Sequence, residues 1–139
     1  MTRFVLDASV ALAWVLDNPV PAYARRVEQA LLGGQRAIVP ALWHLEIANG
    51  LAMAERRRDL ASADIAASVS LLRAAASRAI DTETSIVAVE EALKTARAYR
   101  LTAYDAVYLN LARDEGLPLA TLDQALREGA NKAGVKLLQ

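Results

Sequence analysis

Two carboxylic acids stand directly after short apolar segments of the chain. Asp7 follows the apolar residues 4–6, and Asp123 follows the apolar residues 119–122. If both segments are parallel strands, both acids lie at the sheet edge where open α/β folds bind ligands. Asp123 has an equally good structural role, because Asp is a preferred N-cap and residues 124–126 have helical character. The spacing therefore predicts a ligand site at this edge, with a cap role left open for Asp123.

Glu46 is placed on an apolar face of a predicted helix. Its helical neighbours are apolar or small, namely Leu42, Trp43, Asn49 and Gly50. A carboxylate on such a face loses solvation unless positive charge compensates it. Gly50 costs the helix about 1 kcal/mol relative to Ala, which predicts close approach of a substrate or another backbone. The alternative is a half-exposed Glu at a helix edge.

Asp105 repeats this pattern on a later helix. Leu101, Thr102, Tyr108 and Leu109 surround it at helical spacing. An acid in the first turn is also favoured by the helix dipole, which is the alternative explanation. If Thr102 caps the helix, the Asp105 side chain is released to point inward.

Taken together, these four acids indicate a particular kind of chemistry. Carboxylate oxygens without His or Cys are the ligands preferred by Mg²⁺ and Mn²⁺. A bound divalent ion turns water into a nucleophile near neutral pH. The chain has one histidine, His44, so acid–base cleavage by a histidine pair is poorly supported. We expect His44 to cap or pack at the start of its helix.

Other site types are missing from the sequence. There is no GxGxxG for a dinucleotide, no GxxxxGK[ST] for a nucleotide phosphate and no GxSxG nucleophile elbow. The absence of cysteine excludes disulfides, thiolate catalysis and sulfur-bound zinc.

The elements that must position these acids alternate along the chain. Short strands separated by alanine-rich helices predict βαβ crossovers and a short central parallel sheet flanked by helices. Ser9 is the expected cap of the first helix. We predict a single α/β domain over residues 1–139. The predicted strands are 4–6, 37–39, a short one at Ile80, 119–122 and 135–138; the predicted helices are 10–16, 22–32, 42–57, 61–77, 85–99, 102–114 and one from Asp123 to Gly129 or Gly134.

Composition limits the class of protein. Of 139 residues, 55% are hydrophobic, which is enough to order a core. Sixteen basic and sixteen acidic residues balance, which argues against bulk electrostatic coating of nucleic acid. No uncharged stretch approaches the roughly 20 residues of a membrane span, and Asp7 interrupts the only candidate secretory segment. We therefore expect a compact cytoplasmic protein without membrane association.

Four segments of the chain resemble those of a known family. Residues 4–10 (FVLDASV), 44–51 (HLEIANGL), 101–108 (LTAYDAVY) and 119–123 (LATLD) are similar to the PIN domain. Within that superfamily they resemble the VapC-type ribonuclease toxins of type II toxin–antitoxin modules. The resemblance extends over essentially the whole chain and implies a Mg²⁺- or Mn²⁺-dependent endoribonuclease.

The resemblance also implies roles for individual residues. Asp7 and Asp105 correspond to direct metal ligands. Glu46 and Asp123 correspond to acids that complete the catalytic pocket by holding metal-bound water or a second ion, so Asp123 counts among the metal-binding residues. By the same resemblance, residues that orient these carboxylates are Ser9, Asn49 and Thr121.

The expected partners are an RNA substrate, a second copy of the chain in a homodimer, and a cognate antitoxin. The resemblance implies that the antitoxin places a positively charged C-terminal segment in or beside the active site. Few charges between Ala61 and Leu72 independently predict a face buried in an assembly.

Two non-enzymatic alternatives compete with a nuclease. A receiver-like phosphoacceptor domain needs an acid pair after the first strand, but Asp7 is followed by Ala8 and Ser9. A catalytically inactive PIN-like domain that binds RNA or a partner is the nearer alternative. Such a domain is expected to have lost one of the four acids.

Overall fold

The computed structural model describes residues 2–139 as an α/β domain built on four parallel strands. The strands stand in the order β3-β2-β1-β4, so the first strand lies inside the sheet. The strands are β1 Arg3–Leu6, β2 Arg36–Pro40, β3 Ile80–Glu83 and β4 Leu119–Ala120; the helices are α1 Ala8–Leu16, α2 Ala22–Leu32, α3 Leu42–Arg56, α4 Ser62–Ala79, α5 Val89–Tyr99, α6 Ala103–Glu115 and α7 Gln124–Ala133. The predicted fold class is confirmed.

The central position of β1 follows from its sequence. Phe4, Val5 and Leu6 are completely buried, as expected for a parallel strand covered on both faces. Val5 pairs with Ile38 of β2 on one side and with Leu119 of β4 on the other. The carboxyl ends of β1 and β4 therefore meet at one edge of the sheet.

Three polar groups fix where the later helices begin. Thr102 Oγ1 accepts a hydrogen bond from the backbone of Asp105 at 3.1 Å, and Asp123 Oδ1 accepts one from Leu126 at 2.9 Å. Asp64 accepts from the backbone of Ala61 at the start of α4. These bonds satisfy backbone donors that a helix leaves unpaired in its first turn.

The end of β4 differs from the predicted strand 119–122. The strand stops at Ala120, because the next backbone donors bond to side chains rather than to a neighbouring strand. Leu122 donates to Ser9 Oγ at 3.0 Å, and Asp123 donates to Thr121 Oγ1 at 3.0 Å. The predicted strand at 135–138 is also wrong, since this segment forms only an isolated bridge between Leu137 and Leu119.

Two helix starts also differ from prediction. Ser9 does not cap α1: the helix begins at Ala8 with Asp7 in the N-cap position, and the Ser9 hydroxyl bonds to the Asp7 carboxylate instead. The helix predicted from residue 85 begins at Val89. The first turn of the predicted helix is not helical, because the backbone and hydroxyl of Ser85 both donate to Glu83 Oε1. Within residues 2–139, no helix is both long enough and apolar enough to cross a bilayer.

Candidate active site

All four acids singled out in the sequence face one cleft. It opens at the carboxyl ends of β1 and β4, between α3 and α6, and has a volume of about 630 Å³. Its lining residues are Asp7, Ala8, Ser9, Leu12, Leu42, Leu45, Glu46, Asn49, Gly50, Tyr104, Asp105 and Asp123. The cleft thus has an acidic interior and partly apolar walls.

Asp7 lies deepest, with 5% of its surface exposed. Two hydroxyls donate to the same carboxylate oxygen, Oδ2: Ser9 Oγ at 2.6 Å and Thr121 Oγ1 at 2.7 Å. Burial raises the pKa of Asp7, and these two hydrogen bonds offset part of that rise by stabilising the charged form. The hydroxyls therefore hold the carboxylate in one orientation.

Ser9 and Thr121 also connect Asp7 to the segment after β4. Ser9 Oγ accepts a hydrogen bond from the backbone of Leu122, and Thr121 Oγ1 accepts one from the backbone of Asp123. Asn49, the third residue expected to orient carboxylates, lies in the cleft wall. The structure thus places two of the three against Asp7. Their functional roles stay predictions.

Asp123 occupies both positions that the sequence left open. It is the N-cap of α7, and it also lines the cleft with its side chain exposed. Because Oδ1 accepts from the backbone of Leu126 at 2.9 Å, the cap fixes the side chain while Oδ2 is not used for capping. A cap role and a site role are therefore compatible.

Glu46 is half-buried and has a partner that the sequence reasoning missed. The Tyr108 hydroxyl donates to Glu46 Oε1 at 2.6 Å. Burial raises the pKa of Glu46, the hydrogen bond from Tyr108 lowers it, and the charge of Asp7 raises it further. A tyrosine on an apolar helix face normally indicates core packing. The available signal was its position three residues after Asp105, on the same face of the helix.

Asp105 projects toward the other acids because Thr102 caps α6, as the sequence suggested. Burial is the main cause that raises the pKa of Asp105 to about 6, and the charges of Asp123, Asp7 and Glu46 add to it. Because all three of these carboxylates act on its pKa, Asp105 lies close to each of the other acids.

No cation in the described part of the chain neutralises this cluster. The ion pairs among residues 2–139 are Arg25–Glu28, Arg36–Asp81 and Arg57–Asp59, all of which exclude the four acids. Buried carboxylates normally have compensating charge. A divalent cation suits a set of oxygen donors with this deficit. The acids are nevertheless not a finished coordination shell, since residues 2–139 hold no group of three or more His, Cys, Asp or Glu that could hold a metal ion as placed.

Two neighbouring expectations have different outcomes. His44 was expected to cap or pack at the start of α3, and it packs without capping. It is exposed there, its Nε2 lies 2.9 Å from Thr82 Oγ1, and its ring meets Trp43 edge-on. The expected close approach of another backbone to Gly50 is wrong, whereas approach of a substrate to this residue of the cleft lining stays a prediction. A Cβ there would stand 2.6 Å from Leu12 Cδ1, so the glycine admits a side chain of α1 against α3.

Comparison with known proteins gives the family. No curated protein matches the chain. The crystal structure of PAE2754 from Pyrobaculum aerophilum is similar in fold, with a TM-score of 0.70 and 24% sequence identity over 92% of this chain and 84% of that one. The sequence model of the PIN domain matches residues 4–132, a range that contains all four acids. On this match, which extends over most of the sequence, the chain belongs to the PIN domain family.

Proposed function

We propose that the protein is a metal-dependent endoribonuclease that hydrolyses RNA phosphodiester bonds. PIN domains are generally nucleases, so family membership supports a hydrolase of this type. The observation that carries the proposal is the convergence of Asp7, Glu46, Asp105 and Asp123 on one cleft in which no side chain forms an ion pair with them among the described residues.

Mg²⁺ or Mn²⁺ is the proposed cofactor. Asp7, Asp105 and Asp123 would hold it, and Glu46 would complete the pocket. When bound, the ion would supply the missing positive charge and a water activated for attack on phosphorus. Asp7 is already oriented by its two hydroxyl donors, whereas Asp105, with no ion-pair partner among residues 2–139, would be neutralised by the ion.

The cleft walls support a single-stranded or looped substrate. Tyr104 and Leu45 border the acids and are 65% and 75% exposed. Unpaired bases stack on exposed aromatic rings, whereas bases inside a duplex are not available for such contact. Because Tyr104 and Asp105 line the same cleft, a nucleobase stacked on Tyr104 would bring its backbone close to the acids.

The proposed biological role is the toxin of a type II toxin–antitoxin module. It rests on the sequence resemblance and on an acidic cleft that a positively charged segment of an antitoxin would complement. A homodimer is part of the same proposal. Co-expression with the product of a small adjacent gene should yield a stable complex in which RNA cleavage is suppressed.

Product analysis after RNA cleavage tests the reaction itself. The protein, purified free of any partner, should cut single-stranded RNA with Mg²⁺ or Mn²⁺ and stop on addition of EDTA. Attack by water on phosphorus releases 5′-phosphate and 3′-hydroxyl ends, which mass spectrometry distinguishes from a cyclic phosphate. RNA binding without cleavage under any metal condition would contradict the proposal and favour an inactive PIN-like binding module.

A further inference from the structure

The bond between Tyr108 and Glu46 joins two helices at the base of the cleft. Tyr108 is completely buried on α6, one turn after Asp105, and its hydroxyl reaches Glu46 Oε1 on α3 at 2.6 Å. Within residues 2–139, the Glu46 carboxylate makes no other hydrogen bond. One acid of the site is therefore oriented by a single phenol.

The two partners differ in mobility. A glutamate side chain rotates about three bonds and loses much conformational entropy when it is fixed. A buried tyrosine ring is already immobilised by packing, so its hydroxyl offers a fixed point of attachment. Burial and the nearby carboxylates of Glu46 and Asp7 raise the pKa of Tyr108 above its usual range. The phenol thus keeps its proton and remains a donor.

We propose that Tyr108 is a positioning residue for Glu46. By holding Oε1, it leaves Oε2 as the carboxylate oxygen that serves the cleft, and it keeps this oxygen in one place while RNA and metal bind. The inference rests on the proposed nuclease function, but it concerns a contact that can be tested without RNA.

Tyr23 provides a matched control for loss of a hydroxyl. Its hydroxyl donates to the backbone oxygen of Leu138 at 2.8 Å, and Tyr23 is outside the cleft lining. Tyr108→Phe and Tyr23→Phe each remove one oxygen and one hydrogen bond while retaining the ring. A purely structural role for Tyr108 predicts the same kind of result for both variants, a lower melting temperature with normal activity.

The experiment is a double-mutant cycle of Tyr108→Phe with Glu46→Ala, read by RNA cleavage and by Mn²⁺ binding in calorimetry. Loss of a residue that orients a metal-site carboxylate typically costs about 10–100-fold in activity or metal affinity. We expect a loss in that range in kcat for Tyr108→Phe, with KM little changed, and a roughly tenfold weaker Mn²⁺ affinity. In the Glu46→Ala background, Tyr108→Phe should cause no further loss in either quantity.

Several results would overturn the inference. Tyr108→Phe could match Tyr23→Phe in activity and Mn²⁺ affinity, or its effect could persist undiminished in the Glu46→Ala background. If Tyr108→Phe does not fold, Glu46→Ala alone is decisive, because normal cleavage and Mn²⁺ affinity in that variant leave nothing for Tyr108 to position. If the wild type cleaves no RNA, the proposed function fails, while the Mn²⁺ cycle still reports on the contact.

Discussion

Burial, and in second place the charges of Asp123, Asp7 and Glu46, raise the pKa of Asp105. Its pKa in the folded protein is about 6, above the ordinary value of 3.8, so the folded state holds a proton that the unfolded chain releases between these values. The stability present below pH 3.8 is therefore lost as the pH rises to about 6. Above that pH, the charged Asp105 works against folding.

Asp105→Asn should accordingly stabilise the metal-free protein. In EDTA at pH 8 we expect the free energy of unfolding to rise by about 1 kcal/mol, a figure that already allows for solvent screening of this half-buried group. The melting temperature should rise by about 3 °C. At pH 4 the difference should nearly vanish. Thermal melts at both pH values check this, with Asp59→Asn as an exposed control outside the cleft. A destabilised Asp105→Asn would identify Asp105 as a structural acid of the first turn.

Tyr104 should contribute to substrate binding rather than to chemistry. Stacking of a base on an aromatic ring is worth about 1–3 kcal/mol, so Tyr104→Ala should raise KM for single-stranded RNA by about tenfold or more. Tyr104→Phe retains the ring and should remain near the wild-type value. Steady-state kinetics on a short unpaired RNA provide the measurement. Equal KM values for the Ala and Phe variants would show that no base stacks on Tyr104.

The positions of the acids were predictable because they depend on local rules. Asp7 lies in the cleft because β1 ends there, and Asp105 does so because helical phase and the Thr102 cap determine its direction. Tyr108 was not predictable in the same way. Its spacing from Asp105 places it on the same helix face, but its hydroxyl becomes a site group only when α3 packs opposite α6, and that contact between helices is not encoded locally.

Among the elements, helix α6 has the most influence on the site, since it carries Tyr104, Asp105 and Tyr108. Its first turn depends on the Thr102 side chain. Thr102→Ala should lower the free energy of unfolding by about 1 kcal/mol, because the backbone of Asp105 loses its acceptor. Thr102→Ser retains a hydroxyl and should recover most of that loss. Urea unfolding curves of the three proteins test this, and equal midpoints would show that the cap contributes nothing.

The strands show where sequence patterns fail. Residues 119–122 and 135–138 have strand-like apolar character, yet β4 contains two residues and the later segment forms one bridge. The competing interactions are side chains of the site itself, since Ser9 and Thr121 take the backbone donors that would have continued β4. The side chains of the candidate site thus end β4 early.

Among the described residues, two apolar side chains of α4 are exposed to solvent. Leu71 is 51% exposed, and Val69 is also exposed, within the segment predicted to be buried in an assembly. We expect a homodimer in sedimentation velocity at micromolar concentration, and Leu71→Lys should weaken it by placing a charge in an apolar interface. A monomer for the wild type at these concentrations would contradict the dimer, and an unchanged dimer for Leu71→Lys would place the interface elsewhere.

The most direct test of a metal-dependent nuclease site in the acidic cleft is a kinetic one. The measurement is the rate of single-stranded RNA cleavage at increasing Mn²⁺ concentration. Wild type and the control Asp59→Asn should rise from no cleavage in EDTA to the same plateau. Asp7→Asn keeps the shape of the side chain but lacks its charge, and it should remain at least about a hundredfold slower at every concentration, equivalent to about 2.7 kcal/mol of transition-state stabilisation. Cleavage that persists in EDTA, or an Asp7→Asn curve that overlays the wild type, would contradict a metal-dependent reaction at these four acids.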